Sequence, residues 1–498
     1  MHRASISSLL GKITIFFIIC CFGMLAQGKY GGGSGEPNDP YLINDANHMQ
    51  AIGADSNDWD KHFKLMADID LSGYTGTEFN IIGNGHYECD PSGFCIFVGT
   101  PFTGVFDGNG HTISNFTYQY SGVEFVGLFG CVDGESAQIK NLGLRDVDIN
   151  AYFGFGDKVG PLIGLLFNGT VISCYTQGGS VSGDYRVGGL VGLSVEPASV
   201  YNCHADVNAF GHGDIGGLVG WNSGTIYNCY SNASVIGVYY AGGLTGFNLG
   251  TITDSCSIGS VAGYEDVGGI VGENRGTITN CHSSGNFEGE GLVGGLVGVN
   301  SHGTITNCYA TGSILGGEYV GGFVGINTGT INNCYSADSV LGETLVGGLL
   351  GRNSGEISNC YSIGNVSGTT DVGGLVGRNG SERFSGTITN CYSAAPVMGM
   401  TNVGGLLGIN EDGTVTFSFW DVNASGLDYS DGGVGKTTAD MQTMSTFTDA
   451  DWDFINTWDI GENQTYPYLR KYSPANLNKD HKVDFLDIKI LCEQWLQE

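Results

Sequence analysis

The 498-residue chain predicts an all-β fold, a parallel β-helix with one ~26-residue, three-strand coil per repeat, closed by a small C-terminal cap and helix. Three observations predict it. From Val187 onward one phrase, V-G-G-L-V-G-x-N-x-G-T-I-x-N-C-Y-S, recurs nine times, with paired glycines starting at Gly188, Gly216, Gly242, Gly268, Gly294, Gly321, Gly347, Gly373 and Gly404. Steps between them are 28, 26, 26, 26, 27, 26, 26 and 31 residues, and a fixed period of this length means stacked units. No unit has a helical period or room for one.

Within a unit, V-G-G-L-V-G and T-I-x-N-C-Y-S read as strands, and a weaker third follows, as in Ser234-Val235-Ile236-Gly237. Leucine-rich repeats need a leucine ladder that is missing. Propeller blades need about 40 residues, calcium-binding nonapeptide rolls a shorter acidic period, and collagen a G-X-Y period. A lone coil cannot bury its apolar side, so the units must stack. In T-I-x-N-C the Ile and Cys are three apart and would face opposite ways on a straight strand. A bend at the intervening Asn, which tolerates the left-handed conformation, turns both inward. A second Asn column (Asn222, Asn248, Asn274, Asn300, Asn327, Asn353, Asn379, Asn410) is expected to bond along the axis. Length changes fall just after it, which places a loop there.

The G-G-L-V-G…N-C-Y-S unit resembles the bacterial GLUG motif of secreted and adhesin-like proteins. The resemblance implies a β-helix on the cell exterior, right-handed by analogy, and implies no known catalytic residue. At 126–415 the repeats form the main domain, Val126–Gly130 and Gly160–Gly164 being degenerate early units.

Residues 1–28, basic and then apolar from Ile13 to Leu25, read as a signal peptide, with no transmembrane span after its removal. Residues 29–125 read as the N-terminal cap of the β-helix, beginning near residue 40; F-D-G-N-G-H-T-I also resembles sugar-cleaving, pectin-lyase-like β-helices. Within them Asp68, Asp70, Asp107 and His111 are the one local cluster that could serve catalysis, and their spacing equally suits strand corners. Cys89 and Cys95 are expected to form a disulfide in an exported chain. One cysteine per unit, Cys174 through Cys203, Cys229, Cys256, Cys281, Cys308, Cys334 and Cys360 to Cys391, is expected to form a reduced, buried ladder. The corner before each V-G-G is acidic and aromatic (Asp184-Tyr185, Asp214, Tyr239-Tyr240, Asp266, Glu318-Tyr319, Asp371), suited to sugar or calcium, or to a plain solvated turn.

After Gly413 the repeat stops. Residues 416–472 are aromatic and resemble the usual C-terminal neighbour of GLUG arrays; Trp420, Trp452 and Trp458 are expected to cover the last open edge. G-G-V-G-K-T at 432–437 mimics a phosphate loop but lacks its first glycine, and Thr438 is expected to cap a short helix. Residues 473–498 place Asn476, Asn478, Asp480, Lys482 (through its carbonyl), Asp484 and Asp487 at calcium-loop spacing. A helix follows with Phe485, Ile488, Leu491, Cys492 and Trp495 on one face. This segment resembles one half of a dockerin repeat, which implies calcium and a cohesin-like docking partner. It departs from that pattern in being a single copy, in Asn476 at position 1 and in His481 at the turn.

A formal charge of -31 argues against nucleic acid, whose phosphates need a basic footprint. The leading expectation is a secreted, non-catalytic attachment or adhesion protein whose partner is an extracellular polysaccharide or cell-surface component. The alternatives are a polysaccharide lyase or hydrolase on the same scaffold, and a purely structural envelope component.

Overall fold

In the computed structural model, residues 28–90, 95–119, 122, 124–151, 158–381 and 383–472 are described. The signal-peptide reading, but for Gly28, and the calcium-loop segment lie outside them.

One coil shows how the repeat folds. Gly213–Gly216 lies on a third face; Val219–Asn222 and Thr225–Tyr227 form the first face; Tyr230–Ser231 and Ser234–Ile236 form the second. Each strand pairs in parallel with its equivalent one coil on: Asn222 with Asn248, Ile226 with Ile252, Tyr230 with Cys256, Val235 with Val261. The third face is an 11-stranded sheet that runs from Phe125–Val126 to Thr401–Gly404, so the first coils lack it. Ladder bonding begins at Tyr41–Ile43, which pairs with His62–Leu65, so the solenoid does start near residue 40. The helix Ala46–Ala54, which the sequence reading left out, buries Met49 and Ile52 under the first coils; Asp45 caps it by accepting from the N–H groups of Asn47 and His48.

The inferred bend at the repeat asparagine is real and splits T-I-x-N-C-Y-S between two faces. Asn202, Asn228, Asn280, Asn307, Asn333, Asn359 and Asn390 all have φ between 51° and 57°, in the left-handed region. Ile226 and Cys229 consequently both point into the core. At this corner the strand ladder is interrupted, and the thiols repair it. The Cys203 thiol donates to the Tyr201 carbonyl at 3.1 Å, while the N–H of Cys174 donates to the Cys203 sulfur at 3.4 Å.

The cysteine column needs one correction. In the coil spelled D-S-C, Asp254 takes the corner and Ser255 the ladder position, so Cys256 is displaced onto the outer face opposite Tyr230 and His282. The Ser255 hydroxyl does the thiol's work, accepting from the Cys229 N–H at 3.1 Å and donating to the Thr253 carbonyl at 2.8 Å. Ser418 replaces cysteine in the same way at the C-terminal end. The eight remaining repeat cysteines are buried thiols outside any disulfide, and Cys256 stands half-exposed outside the ladder.

The second Asn column is continuous. Asn222, Asn248, Asn274, Asn300, Asn327, Asn353 and Asn379 each donate to the next amide oxygen at 2.8–2.9 Å, ending on Asn410. The first seven are fully buried.

Trp420 covers the last coil, where a side chain on Gly405 would strike its ring. Trp452 and Trp458 do something else than expected. They pack sideways on Tyr361, Tyr392 and Phe419 of the second face, because the chain turns back along the stack after residue 442. The short helix Thr438–Met441 is capped by Thr437, not Thr438, in a capping box with Asp440.

One ionisable group lies inside the core. Asp338 is fully buried, accepts only from Ser336 and carries an Oδ1 without a partner among the described residues. Burial, against the opposing Ser336 hydroxyl, raises its pKa to about 7. An unfolded Asp titrates near ~4, so the folded chain binds the extra proton between the two values. Stability from this group is therefore complete below about pH 4, and is lost as pH rises through 7. Asp338→Ala, matching Ala233 and Ala395 in the equivalent positions, is expected to remove that slope. The gain should reach on the order of 3 kcal/mol near pH 8. Thermal melts of the two proteins from pH 4 to 8 check it, and parallel profiles would contradict it.

Candidate functional site

Three places gather chemistry-bearing side chains. The first is the N-terminal acidic group. Asp68 Oδ1 accepts the Thr112 N–H at 2.8 Å and lies 3.2 Å from His111 Nδ1, so the structure does bring these two together across coils. Asp70 accepts from Asn115 and from the Ser72 N–H and hydroxyl at 2.8–2.9 Å. Asp107 accepts from the Asn109 N–H at 2.8 Å and from Asn141 at 3.1 Å. The Thr112 N–H and His111 hold the Asp68 carboxyl below its usual range; Asn115 and Ser72 do the same for Asp70. A general acid must keep its proton near neutrality, and these two carboxylates give theirs up early. Their hydrogen bonds staple corners of successive coils.

The insertion at 84–100 is a β-hairpin whose register sets Cys89 directly opposite Cys95. Opposed antiparallel residues have Cα atoms about 4.5–5.5 Å apart, within the disulfide range. The hairpin packs Tyr87 and Phe97 on Phe125. Beneath it Lys158 is buried in an ion pair with Glu124, over the rings of Tyr87 and Phe125.

The second place continues from that hairpin along the edge where the third face meets the first. Two outward columns lie side by side. One holds the residue before the V-G step, which at Arg186, Asp214, Tyr240, Asp266, Tyr319, Leu345, Asp371 and Asn402 has a φ of 49–57°. The other is the x of V-G-x-N: Leu193, Trp221, Phe247, Glu273, Val299, Ile326, Arg352 and Arg378, stacked in register. The left-handed backbone turns the first column against the second. Arg186 stacks over Trp221 at 4.8 Å, Trp221 meets Phe247 at 4.6 Å, and Arg275 lies over Phe247 at 5.2 Å. Farther along, Arg378 pairs with buried Asp371 at 2.6 Å.

This edge was read from sequence as an acidic stripe or a solvated turn. It is neither along its whole length, because Asp214 and Asp371 are buried by the neighbouring column. Burial, opposed by Arg186 and reinforced by Glu273, raises the Asp214 pKa to about 6; burial, Glu273 and Glu265 raise that of Asp266 to about 7. The x column was not singled out from sequence. Its signal was there, as the one position inside V-G-x-N that changes freely while its neighbours do not.

The third place is on the second face. The Tyr of N-C-Y-S forms a stack along the axis: Tyr175, His204 and Tyr230, then His282, Tyr309, Tyr335, Tyr361 and Tyr392. Neighbouring rings are nearly parallel, with centroids 4.5–5.1 Å apart. The returning C-terminal segment roofs part of it and encloses a polar cleft of about 530 Å³. His282, Tyr309, Asp254 and Asn280 lie on one side of the cleft, Thr457 and Lys471 on the other. Lys471 donates to Asn280 Oδ1.

Among the described residues no group of three or more His, Cys, Asp or Glu is arranged to hold a metal ion, and no helix is long and apolar enough to cross a membrane.

Residues 211–236, 263–288, 289–315, 316–341, 342–367 and 368–395 match the family model described as the GLUG motif. These six coils are GLUG motifs. The chain shares 35% identity over 176 residues with halomucin of Haloquadratum walsbyi (strain DSM 16790 / HBSQ001), covering 35% of this chain and 2% of halomucin. A protein described as a Gly-rich membrane protein of Evansella cellulosilytica is 33% identical over 146 residues, 28% of this chain and 15% of that protein. The chain thus spans a small part of the length of these curated relatives. A crystal structure from Bacteroides ovatus, described as an immunoglobulin A1 protease, aligns over 89% of this chain and 96% of that one at 19% identity, with a TM-score of 0.30.

Proposed function

We propose that this GLUG protein is an extracellular, non-catalytic attachment protein that holds a polysaccharide or cell-surface glycan along the edge between its first and third faces. The observation that carries the reading is the pair of outward columns. Packing holds the inward Val, Leu and Ile positions nearly constant, while the outward positions beside them vary freely. From Arg186 to Arg275 they bring together Trp221, Tyr240, Phe247, Asp214, Asp266 and Glu273. Aromatic faces with carboxylates and guanidinium groups at their edges suit sugar rings and their hydroxyls. Tyr240 and Tyr319 also sit in the left-handed region, where a bulky side chain costs about 1–3 kcal/mol, and such strain gathers at functional positions. Relatives named halomucin and a Gly-rich membrane protein support a place at the cell surface.

Calcium belongs to the same reading. Asn476, Asn478, Asp480, Asp484 and Asp487 would supply oxygens, with the Lys482 carbonyl. Bound there, calcium would prepare the loop for a cohesin-like partner. A Cys89–Cys95 disulfide would pin the hairpin at the head of the edge.

Affinity electrophoresis through gels containing acidic and neutral polysaccharides tests the glycan reading. At least one polymer is expected to retard the mature chain, and Trp221→Ala with Tyr240→Ala should weaken retention about tenfold, near 1.4 kcal/mol. Unretarded migration in every gel, or retention that ignores both substitutions, would contradict it. For calcium, calorimetry should show binding at millimolar concentrations or below that Asp480→Ala removes. Absence of heat in the wild type would end that part of the proposal.

A further inference from the structure

Two arginines follow one another in the x column, and only one of them is neutralised. Arg378 gives one arm of its guanidinium to Asp371 at 2.6 Å and holds the other 3.5 Å from Glu411. Arg352 is its strand partner one coil earlier. The same register shows what stands where the acids of Arg352 would be. Leu345 takes the Asp371 position and Gly380 the Glu411 position. Arg352 consequently has no ion pair among the described residues, and its Nε–H is buried without an acceptor. A buried donor on a charged group is costly to leave unpaired.

The substitution at Leu345 runs against local preference. This residue has φ 55°, in the left-handed region that Asp and Asn enter more readily than a bulky apolar side chain. Tyr319, also left-handed at φ 49°, runs its backbone beside Gly351. An uncommitted guanidinium thus shares this stretch of the edge with a phenol and an aliphatic side chain. The net charge of -31 keeps loosely held anions away from the chain as a whole, so an anion would be bound here through specific geometry.

We infer that Arg352 is the anion-reading end of the glycan edge, its guanidinium taking a carboxylate or sulfate ester of an acidic polysaccharide whose neutral rings lie over Trp221 and Phe247. The inference rests on the glycan reading and adds the class of polymer. A guanidinium offers parallel N–H donors that match the oxygens of either group. Arg352 stands five coils beyond Trp221 in one in-register column, roughly 24 Å at about 4.8 Å per coil, which a polymer spans with several sugars. Glu273, paired with Arg275 at 2.8 Å, lies between them. It is three coils from Arg352, roughly 14 Å, beyond the ~8 Å over which exposed charges act at physiological salt. An acid on every ring would meet Glu273, so the polymer carries its acidic groups at intervals.

The decisive variant is Leu345→Asp. It gives Arg352 the counter-ion that Arg378 already has, in a backbone conformation Asp adopts readily, so the coil keeps its fold while the anion seat is filled. The mature chain is run through gels containing hyaluronan or xanthan (carboxylated), carrageenan (sulfated), or dextran or hydroxyethylcellulose (neutral), with a polymer-free gel as reference. Wild type is expected to be retarded more by a carboxylated or sulfated polymer than by either neutral one. Arg352→Ala and Leu345→Asp should each weaken that retention about tenfold and leave retention by neutral polymers unchanged. Which acidic gel responds distinguishes carboxylate from sulfate. Equal retention of wild type and both variants in the acidic gels would overturn the inference. Retention by neutral polymers alone, lost in Trp221→Ala with Tyr240→Ala, would overturn it and leave the glycan reading standing; free migration in every gel would end both.

Discussion

Everything in this molecule depends on coils lying in strict register, and the buried amide chain from Asn222 to Asn410 is the interaction that enforces it. An amide sealed from water must find its partner, and here the partner is the same residue one coil away. A slip of a single residue would leave several amides unpaired at once, each at a cost of roughly 1–3 kcal/mol. Register then carries every other axial feature: the thiol and hydroxyl links at the corner, the ring stack, and the two outward columns. Neighbouring coils need not share a ligand for their side chains to line up.

Much of this could be read from the repeat. The spacing of Ile and Cys in T-I-x-N-C cannot put both inside unless the chain bends between them, and Asn is the residue that bends cheaply. What escaped reading depended on contacts distant in sequence. Counting cysteines placed Cys256 in the ladder, because the phrase D-S-C differs from N-C-Y by a shift that only the corner at Asp254 reveals. The acidic corner residues looked solvated, since nothing local says that a left-handed residue turns its side chain onto the next column. Trp452 and Trp458 were placed at the open end because their lateral contacts follow from a chain reversal that the sequence does not spell.

The site that looked catalytic illustrates the same point. Asp68, Asp70, Asp107 and His111 were visible as a cluster, and Asp68 does meet His111. Their roles became legible only with the donors around them, which come from coils more than 30 residues away. Conversely, the x column went unnoticed because each of its residues is unremarkable alone. Stacked 26 residues apart, Trp221 and Phe247 become one surface. This solenoid separates the two tasks cleanly, with constant residues holding the scaffold and variable ones facing outward.

We propose above that this scaffold holds a sugar polymer without cutting it. Its most direct test is to incubate the purified mature chain, with calcium, with a panel of acidic and neutral polysaccharides and to measure new sugar ends. No release is expected from any of them. Release that disappears in Asp107→Ala would contradict it and make the N-terminal carboxylates the working groups of an enzyme.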